Sequence, residues 1–352
     1  VERKLKKARR VAAVLFLSGA MAAAAGVAVE PSCTRVDSPV IFAPLVCGPN
    51  LLFFGMGGKN LVMTREGKFS PLEGPPVSPS FQPVSDGESA WVVSDNGSLF
   101  RITNGASTRL PGDFRGALAL LPAKPLPYVL FPEKLKLPGG GVVAFDFTAF
   151  AMNALGNELW VRGRGVAALV DAQGRVLWKW TVPGAEAGSA TLVGKIIFVG
   201  ASDGGFSALK RSNGKRVFSY KGGGLAVNRP VAYGKLVAYG STDHFIRALD
   251  RRSGIVVWQT RAQGRPSFGP LKVKAGLLFA ESAGSRLFIL SEKDGRTGWN
   301  WKVPKGAILK APVVVDNTAF VLAWSGSSKP CLYRVNLPSS LPKHSSKKRK
   351  AK

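Results

Sequence analysis

The chain has 352 residues, 45% hydrophobic and 20% charged, so it carries the apolar content for a buried core and is not a disordered sequence. Its 49 Lys and Arg against 21 Asp and Glu give a net charge of +28, which points to anionic surroundings or partners. Two His and three Cys exclude a zinc array, a His-rich metal site and a scaffold held mainly by disulfides.

Residues 1–10 read VERKLKKARR, six basic and one acidic, and residues 11–28 carry no charge. A basic start followed by an apolar stretch predicts a secretory signal over 1–28. Ala22-Ala23-Ala24 and Gly26-Val27-Ala28 both suit cleavage between small residues. The alternative is an uncleaved N-terminal membrane anchor, because eighteen apolar residues just span a bilayer, although Ala and Gly insert weakly. Glu30-Pro31-Ser32 before Cys33 does not fit a lipid-attachment sequence. Export implies an oxidising compartment. There Cys33, Cys47 and Cys331 allow at most one intramolecular pair, and spacing leaves the pairing open. Cys33–Cys47 would staple an N-terminal arm at 29–45, whereas Cys331 with either partner would tie the chain ends together.

From 46 onward the predicted elements are short strands. Leu51-Leu52-Phe53-Phe54-Gly55, Leu61-Val62-Met63 and the turn Glu66-Gly67-Lys68 predict one degenerate unit. Trp91-Val92-Val93, Leu99-Phe100-Arg101-Ile102 and the turn Asn104-Gly105 predict a second. The Pro-rich stretch 120–150, with Gly139-Gly140-Gly141 before Val142-Val143-Ala144-Phe145, fits a third. Further on the chain repeats itself. Gly194-Lys195-Ile196-Ile197-Phe198-Val199-Gly200 returns 40 residues later as Gly234-Lys235-Leu236-Val237-Ala238-Tyr239-Gly240. Gly174, Gly214 and Gly254 share this phase, as do Trp178, Phe218 and Trp258; Gly295 and Trp299 follow at a step of 41. A period near 40 means a solenoid, a propeller or an array. Each unit holds four short runs between Gly-containing turns and no sustained helical periodicity, which predicts a propeller blade. Thr318–Trp324 and Leu332–Val335 are two strands of a last, incomplete blade, which an N-terminal strand would complete, closing the ring.

Ala248-Leu249-Asp250-Arg251-Arg252-Ser253-Gly254-Ile255-Val256-Val257-Trp258 resembles the Ala-x-Asp-x-x-Thr-Gly-x-x-x-Trp docking motif of PQQ-like β-propeller repeats. Asp171–Trp178 and Asp294–Trp299 are similar but looser, and in Ser212–Phe218 the ring is Phe. The resemblance is good over about 160–300 and weak before. It implies that Trp178, Phe218, Trp258 and Trp299 hook neighbouring blades together, with Gly174, Gly214, Gly254 and Gly295 in the turns. The expected fold is all-β: a single propeller at 46–338 of about 40-residue, four-stranded blades, seven in number with eight as the alternative.

The sequence offers no catalytic constellation. Quinoprotein dehydrogenases share these repeats, but they use an adjacent Cys pair and a Ca²⁺ site of clustered acids that this chain lacks, so no cofactor is expected. His244 falls in a hairpin turn and His344 in the tail, which suits solvation better than catalysis. Asp203 and Asp243 recur in phase, as turn-capping residues do. Gly139–Gly141 and Gly222–Gly224 lack the Lys-Ser/Thr of a phosphate loop.

Residues 339–352 are expected to form a disordered basic tail, with Lys343, Lys347, Lys348, Arg349, Lys350 and Lys352 and no acid. Discounting both ends, +17 remains on the rest, so the propeller itself is basic. Non-enzymatic exported propellers of this type are similar to the propeller family of the outer-membrane β-barrel assembly machinery. That resemblance implies a protein-interaction scaffold in the bacterial envelope, a monomer within a larger complex with envelope protein partners. The alternative is a binding module for anionic lipid headgroups or acidic glycans. Nucleic acid is not expected as a native partner of an exported chain, although a basic surface would bind it. A PQQ-dependent dehydrogenase is the remaining reading.

Overall fold

The computed structural model describes residues 33–36, 40, 42–226, 228–266, 268–281, 285–304, 306–308, 310–324 and 330–342. The expected signal or anchor at 1–28 and the basic residues 343–352 lie outside the described residues. Among the described residues the structure is all β, with one 3-10 turn at Met56–Gly58 and no α-helix.

Hydrogen bonding groups the strands into seven sheets, a seven-membered β-propeller. One sheet has six strands, because Glu158–Val170 supplies both the second and third strands of one repeat and Val176–Val193 runs on from that repeat into the next. Its first half pairs with Glu158–Val170 and its second half with Ile196–Ala201. The seven sheets therefore carry eight copies of the four-strand repeat. Packing confirms this: among the described residues eight apolar cores each lie between two successive repeats. The expected seven blades match the seven hydrogen-bonded sheets, and the stated alternative of eight matches the eight packing units. In chain order the repeats occupy 45–71, 84–110, 119–144, 149–181, 186–221, 231–261, 268–302, and 307–336 with 33–35.

The burial pattern follows strand position. The second strand of a repeat is buried on both faces, as in Leu277, Leu278, Phe279 and Ala280. The fourth strand, such as Val256–Arg261, alternates exposed residues with half-buried ones and the buried Trp258, and forms the rim. This is what wedge-shaped packing of radial sheets demands, with both faces of the inner strands covered.

The ring closes as expected. Cys33–Arg35 pairs antiparallel with Cys331–Asn336, placing Arg35 opposite Cys331 and Cys33 opposite Tyr333. Val36 and Val40 join Leu51, Phe53, Leu322 and Leu332 in the core between the last repeat and the first. The arm at 29–45 thus supplies a strand and core residues. At the other end Leu341 packs where a Cβ on Gly298 would stand, 2.6 Å from its Cδ1. The packed chain therefore extends to residue 342, into the segment expected to be a disordered tail, because an apolar side chain there finds a glycine-shaped recess.

Candidate docking surfaces

The outer strands meet the next repeat through an aromatic ring set on a turn glycine. Trp178 Nε1 donates to the Arg211 carbonyl at 2.7 Å, and Trp258 Nε1 donates to the Glu292 carbonyl at 3.1 Å. Beneath each ring the next repeat presents a glycine with positive φ: 69° at Gly214 and 70° at Gly295. Side chains other than Gly rarely adopt that conformation. A Cβ would fall 2.6 Å from Trp178 at Gly214, 2.4 Å from Phe218 at Gly254 and 2.3 Å from Trp258 at Gly295. Phe218 sits in the same place without a donor and packs on Phe198 at 6.3 Å between ring centroids. Gly174 meets Val143 and Leu137 instead of a ring. Trp299 packs into the core between the seventh and last repeats.

Other cross-repeat contacts were not legible in the sequence. Trp160 is fully buried and its Nε1 donates to the Gly188 carbonyl at 3.1 Å. Asn153 exchanges hydrogen bonds with the backbone of Ala190 on the next repeat's innermost strand. Arg229 reaches back across two repeats, to Thr191 Oγ1 and the Ala154 carbonyl. None of these residues recurs at a step of 40, so periodicity gave no signal.

Turns at the two ends of the strands differ in charge. Between the second and third strands of the fifth, sixth and seventh repeats, the acid is matched by a cation of its own repeat. Asp203 binds Lys221 at 2.8 Å, Asp243 binds Arg247 at 2.7 Å and Glu281 binds Arg286 at 2.9 Å. Asp203 and Asp243 also accept backbone N–H groups two residues on, from Gly205 and Phe245. Burial pushes the Asp243 carboxyl up, but Arg247 and the turn N–H outweigh it and hold it below the ordinary carboxylate range. Burial pushes the Tyr239 hydroxyl well above the usual phenol range. At the opposite end, first-to-second and third-to-fourth turns meet: Arg211 N–H donates to Lys195 O, and Arg251 N–H to Lys235 O, both at 2.9 Å. These turns are rich in Lys and Arg.

His244 stands in a turn at φ 68°, with its N–H donating to Ser241. Gly222–Gly224 links the fifth and sixth repeats, and Gly222 N–H donates to Gly204 O. Cys331 is disulfide-bonded and Cys47 is a buried free thiol, which excludes the Cys33–Cys47 staple. Burial pushes the Cys47 thiol up, and its Sγ lies 3.3 Å from the Glu88 carbonyl. Among the described residues no three His, Cys, Asp or Glu side chains are grouped to hold a metal ion. A cleft of about 580 Å³ opens at the seventh repeat, lined by Glu292, Lys293, Asp294, Arg296, Gly298 and Leu341 among others.

The family model described as "Outer membrane protein assembly factor BamB" matches residues 162–268 and 242–337, together half the chain. Among solved structures the chain is similar to the computationally designed protein Ika8, with a TM-score of 0.70 and 13% identity, over 87% of this chain and 100% of that one. It is also similar to BamB from Moraxella catarrhalis, with a TM-score of 0.62 and 16% identity, over 87% of this chain and 99% of that one. At these identities the structures show a shared fold. No curated protein sequence matches the chain.

Proposed function

Since the chain belongs to the PQQ-like β-propeller family whose model describes the assembly factor BamB, we propose that it is a non-enzymatic protein-interaction scaffold. It is exported, works in the bacterial cell envelope as a monomer within a larger complex, and serves outer-membrane protein assembly. The observation that carries this reading is the family match itself, which spans the repeats with the hooked aromatic rings. Those hooks stiffen the ring, and a stiff ring presents its turns and rim with little ordering cost on binding. The rim also offers edges: Arg216–Lys221, Val256–Arg261 and Thr297–Lys302 each end a sheet, with one side unpaired. Such an edge can accept an extended partner segment through backbone hydrogen bonds.

The test is a cross-linked pull-down of the full chain from envelope extract at low and high salt. Recovery of one or two defined envelope proteins that survive high salt supports the scaffold. Recovery of no such protein overturns it. A dye-reduction assay with added quinone and Ca²⁺ addresses the enzymatic alternative, and turnover there would overturn the non-enzymatic assignment.

A further inference from the structure

We propose that the lysine- and arginine-bearing turns of the fifth, sixth and seventh repeats form a docking face for an anionic phospholipid surface. This inference stands on charge placement and does not depend on the scaffold reading.

Strands in these repeats run alternately up and down, so first-to-second and third-to-fourth turns share one end. The Arg211–Lys195 and Arg251–Lys235 backbone hydrogen bonds show the two turn types side by side. Lys195, Lys235 and Lys274 occupy the first kind of turn, and Lys215, Arg251 and Arg252 the second. Among the described residues none of these six takes part in an ion pair. The acids at this end are already engaged. Glu158 binds Arg211, Glu292 binds Lys272, and Asp294 faces Arg296. Asp250 accepts the N–H groups of Arg252 and Ser253 and the Ser253 hydroxyl. The unpaired cations of these repeats are therefore densest at this end: the opposite turns pair Lys221, Arg247 and Arg286 with their own acids, which leaves Arg261 and Lys302 at the far ends of the fourth strands.

The form of the patch selects the occupant. Its cations recur at intervals of one repeat and do not converge on a groove, which fits an extended sheet of headgroups rather than one peptide. The cleft at this end is lined by Glu292 and Asp294 together with Lys293 and Arg296, so it is not a cationic groove shaped for one acidic segment. Beside the cations stands Ile255, directly after Gly254 and 68% exposed, the most exposed large apolar residue among those described. Val217 is exposed on the neighbouring repeat. Basic side chains attract an anionic leaflet within a Debye length, and an adjoining apolar side chain reaches into the headgroup boundary.

The experiment is vesicle sedimentation of the full chain at near-physiological salt, with phosphatidylcholine vesicles alone or mixed with phosphatidylglycerol. Three charge reversals in the turns, Lys195→Glu, Lys235→Glu and Arg252→Glu, are compared with three at the opposite strand ends, Arg164→Glu, Arg261→Glu and Lys302→Glu. The full chain is expected to bind only the mixed vesicles. The turn variant is expected to bind roughly a hundredfold more weakly, and the opposite-end variant nearly as well as the parent. Circular dichroism and elution volume confirm that both variants are folded. Equal loss in the two variants, unchanged binding of the turn variant, or no binding of the parent to mixed vesicles overturns the proposal. So does a turn variant that keeps its vesicle binding but loses an acidic envelope protein, which would make the occupant a protein.

Discussion

Trp258 closes over Gly295 of the following repeat: its Nε1 donates to Glu292 O at 3.1 Å, and a Cβ on Gly295 would fall 2.3 Å from its ring. Thr260 Oγ1 adds a hydrogen bond to the Gly295 carbonyl at 2.6 Å. One turn thus receives two side-chain hydrogen bonds and a stacked ring from the neighbouring outer strand.

Gly295→Ala should cost about 2–4 kcal/mol of unfolding free energy, combining positive-φ strain with a clash against a ring that cannot retreat. Gly48 has φ 59° and nothing within 4 Å of its Cβ position, so Gly48→Ala should cost only about 1–2 kcal/mol. Urea denaturation midpoints of the two variants separate strain from collision.

Trp258→Phe keeps the ring but removes the donor to Glu292 O. The expected loss is about 1–2 kcal/mol, measured by the same midpoints. Trp299→Phe, whose ring packs against the core between the seventh and last repeats, should cost less.

The Arg247 side chain is only 7% exposed, and Asp243 beside it is its salt-bridge partner. Because the Asp243 pKa is depressed in the folded chain, its stabilisation is present above the unfolded value of about 3.9 and fades as pH falls through the lower folded value. Asp243→Asn should therefore flatten the stability curve below about pH 4. It should also lower stability at neutral pH by about 3 kcal/mol, since a buried guanidinium loses its counter-charge. Denaturation curves between neutral and acidic pH check both.

Cys47 should resist alkylation in the native chain, being buried with its thiol pushed up, and react once the chain unfolds. Cys331→Ser should cost about 2–5 kcal/mol, the usual range for loss of a native disulfide. Mass spectrometry after timed alkylation and denaturation midpoints read these two expectations.

The repeat was legible because each turn needs its glycine and each outer strand needs its ring, and both recur near a step of 40. The early repeats were harder to see, since Val143 and Leu137 replace an aromatic ring over Gly174 and the hook signature dissolves there. Sheet membership was not legible at all around 158–193, where Glu158–Val170 and Val176–Val193 run longer than the repeat pattern implies. Cross-repeat latches at Asn153, Trp160 and Arg229 were also hidden, because each uses an irregular backbone carbonyl as its partner. The cationic character was plain in the composition, but its direction was not. Only the strand order, which gathers Lys195, Lys235, Lys274, Lys215, Arg251 and Arg252 at one end, shows where the unpaired cations are densest.

The strand Cys33–Arg35 pairs with residues about 300 positions away, at the far end of the chain. This fixes an order of events in time. A chain that emerges from its N-terminus can build the inner repeats one after another, each from local hairpins that form fast. The last sheet, however, must wait for Cys331–Asn336 before its rim strand has anything to pair with. Until then the first repeat, with Leu51 and Phe53, and the waiting strand both expose surface that the finished ring buries. Ring closure therefore comes after the last strand is made, and the interval before it is when the chain most needs protection from aggregation.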